Sequence, residues 1–240
     1  VALADSAFVE KEYFKAIALY NEALATEGVS SSVYYNLGNA YYRVGQQGRA
    51  VLNYERALRV DPTNRQARLN LDFVNSRLAD KPTDSGNIIQ ASVDDMTESM
   101  KADSWAWISV SLFIVFLLLT AGYIFLSGIT ERKICFFGGI LVLFCTVGSA
   151  YFAVRAAGRI ASPDEAIVIV PKSQMTLTPG SVTATGGNLV VHEGHKVTIL
   201  DSVAAAPGRA NSDWYQVDLG NNTRAWISPA DIERISASRL

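Results

Sequence analysis

The sequence predicts a multidomain membrane protein with an all-α array of helical hairpins, a two-helix transmembrane hairpin and a small all-β barrel. Three observations predict it. The stretch YYNLGNAYYRVGQQGRAVLNYERALRVDP, residues 34–62, reads as a helix, a Gly-containing turn, a second helix and a Pro stop. Residues 104–130 and 134–154 carry no charged side chain, and each run exceeds the roughly 18 apolar residues that mark a membrane-spanning helix. Beyond Arg155 the period changes: AIVIV, KVTIL, WYQVDL and TRAWI are short alternating or β-branched runs, separated by Pro-Gly, Gly-Gly, Pro-Gly and Gly-Asn-Asn.

Residues 1–81 form the array. Ala16, Tyr20 and Ala23 precede Ala50, Tyr54 and Ala57 by 34 residues, so EKEYFKAIALYNEAL repeats the second-helix pattern. Its first helix is the weaker half, with Leu3 and Ala4 at the positions of Leu37 and Gly38. In the central unit Tyr34, Leu37, Gly38 and Tyr41 line one helix face, Ala50, Tyr54 and Ala57 make a small-large-small seam, and Pro62 ends it. Those eight positions resemble the tetratricopeptide repeat in identity and spacing. One period on, RQARLNLDFVNSRLA keeps Leu71 but substitutes Arg68, Asp72 and Asn75, as a solvated capping helix would.

The resemblance implies a groove, lined by first helices, that takes extended peptides or partner helices. Its positions here are Tyr35, Asn39, Tyr42 and Arg43, then Gln66, Leu69, Phe73 and Arg77. Asn36 and Asn70 share one repeat position, where an amide can hydrogen-bond a ligand backbone. The family's carboxylate clamp uses several cations; Arg43 and Arg77 alone argue against one.

Residues 82–103 read as an acidic linker that turns helical before the membrane. Spans at 104–126 and 134–154 flank a short loop, 127–133, which carries Arg132 and Lys133. Gly138, Cys145, Gly148 and Ser149 make a small-residue stripe on the second span, suited to close helix packing. Cys135 and Cys145 lie about 15 Å apart along one helix and cannot pair, so no disulfide fixes the compartment.

Residues 164–235 form the β part. SDWYQVDLGNNTRAWISPADIERI resembles the end of a bacterial SH3 domain: a Trp strand, a tight turn, a second Trp strand, a 3₁₀ turn and a last strand. VVHEGHKVTIL fits the expected Glu-Gly-x-x-Val strand entry, and PKSQMTLTPG the first loop; Ala225 replaces the usual Gly. Trp214 and Trp226 are expected in the barrel core.

The 240 residues have a formal net charge of −2, and no global basic field points to nucleic acid. His192 and His195 form an HxxH at a strand entry with no clear third ligand, which argues against a metal site. No nucleotide-binding, hydrolase or zinc-protease motif appears, so the expectation is a non-enzyme without cofactor.

The whole order resembles the BatE-type proteins of the Bacteroides aerotolerance (Bat) operon. That resemblance implies a scaffold in an envelope complex linked to oxidative stress. Its implied partners are membrane proteins with von Willebrand factor A domains, other Bat-operon proteins and, indirectly, a MoxR-type AAA+ ATPase. A cell-wall sensor and an assembly factor for secreted clients are the alternatives. Two spans put both soluble parts on one side of the inner membrane. Ala2-Leu3-Ala4, resembling the end of a signal peptide or equally opening a helix, and the absence of an initial Met favour the periplasm.

Overall fold

A computed structural model describes residues 1–80, 88–161, 164–177, 189–203, 214–220 and 223–236. The chain divides into two compact units, Val1–Asn87 with Ser162–Leu240, and Ile88–Ala161.

The first unit opens with five helices, α1 (Ala2–Val9), α2 (Tyr13–Thr26), α3 (Ser31–Arg43), α4 (Gln47–Val60) and α5 (Arg65–Asn75). The residues that recur at 34-residue spacing are its buried seam: Ala16, Tyr20 and Ala23 in α2, and Ala50, Tyr54 and Ala57 in α4. Gly38 is needed for contact, since a Cβ there would lie 2.7 Å from a ring carbon of the buried Tyr54. The turns repeat as well. Gly45, at φ +81°, closes α3, with its N–H donating to the Tyr42 carbonyl and that of Gln46 to the Tyr41 carbonyl. One period earlier Lys11, at φ 64°, closes α1 with the same two bonds, to Phe8 and, from Glu12, to Ala7. Lys11 therefore holds a left-handed conformation that costs a side-chain-bearing residue about 1–2 kcal/mol. Asn64 caps α5 by accepting from the Ala67 N–H at 3.0 Å, while its amide donates to Ser31 Oγ at 2.9 Å.

The β part has seven strands among the described residues: β1 (Glu165–Val168), β2 (Lys172–Met175), β3 (Leu189–His192), β4 (Lys196–Val203), β5 (Trp214–Asp218), β6 (Arg224–Ile227) and β7 (Ile232–Arg234), with a 3₁₀ turn, Pro229–Asp231, before the last. Five of them form an antiparallel sheet in the order β6-β5-β4-β1-β7, and β2 and β3 form a hairpin. A bridge between Thr176 and Trp226 ties the end of that hairpin to β6. No closed barrel forms among the described residues, so the observed architecture is a β-rich part built on a five-stranded open sheet and a two-stranded hairpin.

The core of this part is Ala166, Val168, Met175, Val191, Val197, Ile199, Val217, Ala225, Ile227 and Ile232. The two tryptophans expected there lie outside it. Strand alternation explains the correction: Val217 and Ala225 face inward as a cross-strand pair, which turns the neighbouring Gln216–Trp226 pair to the other face, with Trp214 beside it on β5. Both tryptophans are half-buried. The continuous apolar run AIVIV has an equally simple cause. β1 is buried on both faces: Ala166 and Val168 fill the sheet core, whereas Ile167 joins Val51, Leu52, Leu78 and Ile235 in the core of the helical array.

The sheet thus packs on α4. Gly48 is a close approach to backbone; a Cβ there would sit 2.6 Å from the Val168 carbonyl oxygen, and its N–H donates to Glu193 at 2.9 Å. Around the apolar contact, Arg56 reaches Glu233 at 2.9 Å, Arg59 reaches Glu165 at 2.6 Å, and Lys196 bridges Glu165 at 3.2 Å and Glu55 at 3.6 Å. Partly exposed ion pairs of this kind contribute about 0–1 kcal/mol each. The buried isoleucines, at about 25 cal/mol per Å² of apolar surface removed from water, supply more of the docking energy.

The second unit holds α6 (Ile88–Glu98), α7 (Ala102–Phe125) and α8 (Ile129–Ala161). The last two are long and apolar enough to cross a membrane. At 1.5 Å per residue, α7 extends about 36 Å, against about 30 Å of bilayer hydrocarbon. The expected loop at 127–133 is shorter than its charge pattern suggests. Only residues 126–128 are non-helical, because Glu131, Arg132 and Lys133 are good helix formers and fill the first turn of α8. The α7–α8 contact runs through Gly122 beside Cys135, Leu119 over Gly138 and Gly139, Ser109 donating to the Thr146 carbonyl at 3.3 Å, and Trp105 against Phe152 with ring centroids 4.9 Å apart. Of the small-residue stripe, Gly138 and the buried Ser149 lie on the buried side of α8. Cys145 is exposed and nothing lies within 4 Å of a Cβ at Gly148, so these two do not face α7. Large apolar side chains such as Phe113, Leu118, Phe137 and Phe144 point outward, an arrangement suited to lipid.

Candidate protein-binding groove

Two polar triads built on the repeat period hold the inner faces of α1, α3 and α5 together. The Tyr20 hydroxyl donates to Asp5 Oδ1 at 2.6 Å, and the Asn36 amide donates to the same oxygen at 3.2 Å. One repeat on, the Tyr54 hydroxyl donates to Asn39 Oδ1 at 2.8 Å, and the Asn70 amide donates to that oxygen at 2.8 Å. Each triad joins the second helix of a unit to its own first helix and to the first helix of the next. Burial pushes both tyrosine hydroxyls well above the ordinary phenol range, and in Tyr20 the bond to Asp5 adds to it. Both therefore remain donors at any neutral pH.

A cleft of about 360 Å³ opens over the second triad. Its walls include Tyr35, Asn39, Tyr42, Arg43, Asn70 and Phe73, six of the positions expected in the groove. Arg77 stands at its edge, with its guanidinium 4.1 Å from the Phe73 ring centroid and 3.4 Å from the Tyr42 hydroxyl. Gln66 and Leu69 are exposed on α5 and do not line it. Asn36 lies instead in a smaller cleft of about 190 Å³ with Asp5, Phe8, Val9 and Tyr20. The amides of Asn36 and Asn70 already donate within the array, so any ligand would meet their remaining groups.

Phe8, Tyr54 and Val74 also line the larger cleft, and Asp5, Val9 and Tyr20 the smaller; none of these is among the groove positions expected from sequence, where Tyr20 and Tyr54 stand only as seam residues. Subtracting one period from Asn39 and Tyr42 would have found Asp5 and Phe8. The mixture of half-exposed aromatic rings, side-chain amides and guanidinium groups suits a polypeptide, whose backbone and side chains offer partners for all three.

At the edge of the β part the His192 N–H donates to Asp80 at 2.6 Å, and its ring nitrogen lies 3.1 Å from the same carboxylate. This contact ties the segment after α5 to the end of β3. Among the described residues no group of three or more His, Cys, Asp or Glu side chains is placed to hold a metal ion.

Residues 31–64 match the tetratricopeptide repeat family. The match covers α3, α4 and the turn that follows, the unit beneath the larger cleft. No curated protein matches the chain with significance. Tetratricopeptide repeats are a non-catalytic interaction fold, and the matched unit supports a role in protein–protein interaction.

Proposed function

We propose that this protein is a non-enzymatic, membrane-anchored scaffold that holds protein partners in the groove over α3 and α5. The observation that carries the proposal is the open cleft of Tyr35, Tyr42, Arg43 and Phe73, on an array whose α4 is already covered by the chain's own sheet. α7 and α8 anchor the scaffold in the bilayer. The strand order β6-β5-β4-β1-β7, with the 3₁₀ turn between β6 and β7, supports an SH3-like reading of the C-terminal part. In this reading it contributes a second protein-binding surface.

The domain order and the BatE resemblance extend the proposal to an envelope complex tied to aerotolerance. Its partners would be membrane proteins bearing von Willebrand factor A domains, other Bat-operon proteins and, indirectly, a MoxR-type ATPase. Docking of the segments before and after the spans into one body supports the reading that both lie on one side. Arg132 and Lys133 beside the tight turn are matched by Lys101, Arg155 and Arg159 at the other ends of the spans, so charge does not orient the hairpin, and the periplasmic placement of the body follows the BatE resemblance.

Co-purification of the full chain from detergent-solubilised membranes tests the proposal. A stoichiometric partner should be retained, and Arg43→Glu with Arg77→Glu should release it while circular dichroism stays unchanged. Retention by the double variant would argue against the groove. A cell-wall sensor is the second reading, favoured by the outward placement of Trp214 and Trp226, and binding to isolated cell wall would select it.

A further inference from the structure

The two clefts are the same site one repeat apart, with different charge. Asp5, Phe8, Val9, Tyr20 and Asn36 of the smaller correspond, 34 residues on, to Asn39, Tyr42, Arg43, Tyr54 and Asn70 of the larger. Phe8 lines both, so they are contiguous.

The triads need only one acceptor oxygen at this position. Asn39 supplies it in the second unit with a neutral amide and the same pair of donors. The negative charge of Asp5 is therefore unnecessary to the packing. Both donors also converge on Oδ1, and Oδ2 has no hydrogen-bond partner among the described residues. In the other cleft Arg43 has no ion-pair partner among the described residues, and Arg77 adds a second cation at its edge. One cleft thus offers an uncompensated carboxylate oxygen and its neighbour offers guanidinium groups.

We infer that the groove reads an extended segment of a partner protein carrying one basic and one acidic side chain, the basic one at Asp5 and the acidic one at Arg43 and Arg77. Packed helices lie about 8–10 Å apart, and an extended chain advances about 3.3 Å per residue. Counted from Asp5 on α1 to Arg43 on α3, the next first helix, the two charges should then stand about three residues apart. A segment with two like charges at that spacing places one of them against its own sign. This inference rests on the groove reading and adds the chemistry of the occupant.

The test is selection of a random twelve-residue peptide display library against the full chain in lipid nanodiscs. Enrichment of opposite charges about three residues apart is expected. Asp5→Asn should erase the basic preference alone, and Arg43→Gln with Arg77→Gln the acidic preference alone, each weakening a selected peptide about tenfold by fluorescence anisotropy. Peptides that compete at the groove yet show no charge pair, or an acidic preference only, would overturn the inference and leave the groove standing. Selected peptides insensitive to Tyr42→Ala and Phe73→Ala, or no enrichment at all, would overturn both.

Discussion

The array has two working faces that are built differently. The groove face is periodic: a hydroxyl, an acceptor oxygen and an amide recur 34 residues apart and hold α1, α3 and α5 in step. The α4 face is not periodic. It is closed by a sheet more than a hundred residues away in sequence, through Ile167, Ile235 and the close approach of Gly48 to the Val168 carbonyl. The groove face keeps half-exposed rings and charges, while the other has given its apolar surface to the chain itself. In the proposed function, partner recognition is therefore concentrated on one side of the array, while the other side makes two separated segments into a single body.

The comparison can be broken most severely at Gly48. Gly48→Val would push a side chain into the Val168 carbonyl, which belongs to backbone and cannot swing away. Such overpacking should cost about 3 kcal/mol, and the single thermal transition expected of the docked body should separate into two by calorimetry. A smaller loss is expected at Arg56, which donates to the carbonyls of Arg234 and Ile235 as well as to Glu233. Arg56→Met leaves those carbonyls short of a donor and should cost about 1–2 kcal/mol by denaturant titration, with peptide binding in the groove unchanged.

The groove face is sharpened by a matched pair. Tyr20→Phe and Tyr54→Phe should each cost about 1 kcal/mol at neutral pH, by similar amounts if the triads are equivalent. Their pH dependence has a definite sign. Folding favours the neutral phenol, so its contribution is complete below about pH 10 and falls as the pH rises through the raised folded value. Each Phe variant should flatten the loss of stability measured by alkaline titration. The smallest effect is a gain. Lys11→Gly removes the left-handed strain that Gly45 avoids one repeat later, and should raise stability by about 1 kcal/mol or slightly less, since glycine adds unfolded-state freedom.

The same contrast explains what could be read from sequence. Tyr34, Gly38, Tyr54 and Ala57 are legible because each answers to a partner at a fixed offset within one repeat. Six of the groove walls follow from that register. Asp5 and Phe8 escaped because the first helix was judged by its Leu and Gly positions, where Leu3 is exposed and Ala4 replaces glycine. The AIVIV run was readable as a strand, but not as a strand sandwiched against α4, because no local period encodes a contact between distant segments. Trp214 and Trp226 were assigned to the core by size. Their position in the alternation of β5 and β6 sends them to the other face. On α8, residue size suggested Cys145 and Gly148 as packing positions, but the helical angle turns them away from α7 and brings Gly139 and Thr146 inward.

Thiol accessibility tests most directly whether the segments before and after the spans form one body on one side of a membrane. With Cys135 and Cys145 replaced by Ser, single substitutions Ser32→Cys in the array, Ser127→Cys in the tight turn and Ser202→Cys in β4 would be exposed to a membrane-impermeant reagent in intact cells with a permeabilised outer membrane. The account predicts that positions 32 and 202 label together and that 127 stays dark until the inner membrane is breached. Labelling of 127 alone would keep the body but invert it. Labelling of 32 without 202, or the reverse, would place the array and the sheet on opposite sides and contradict the docked body outright.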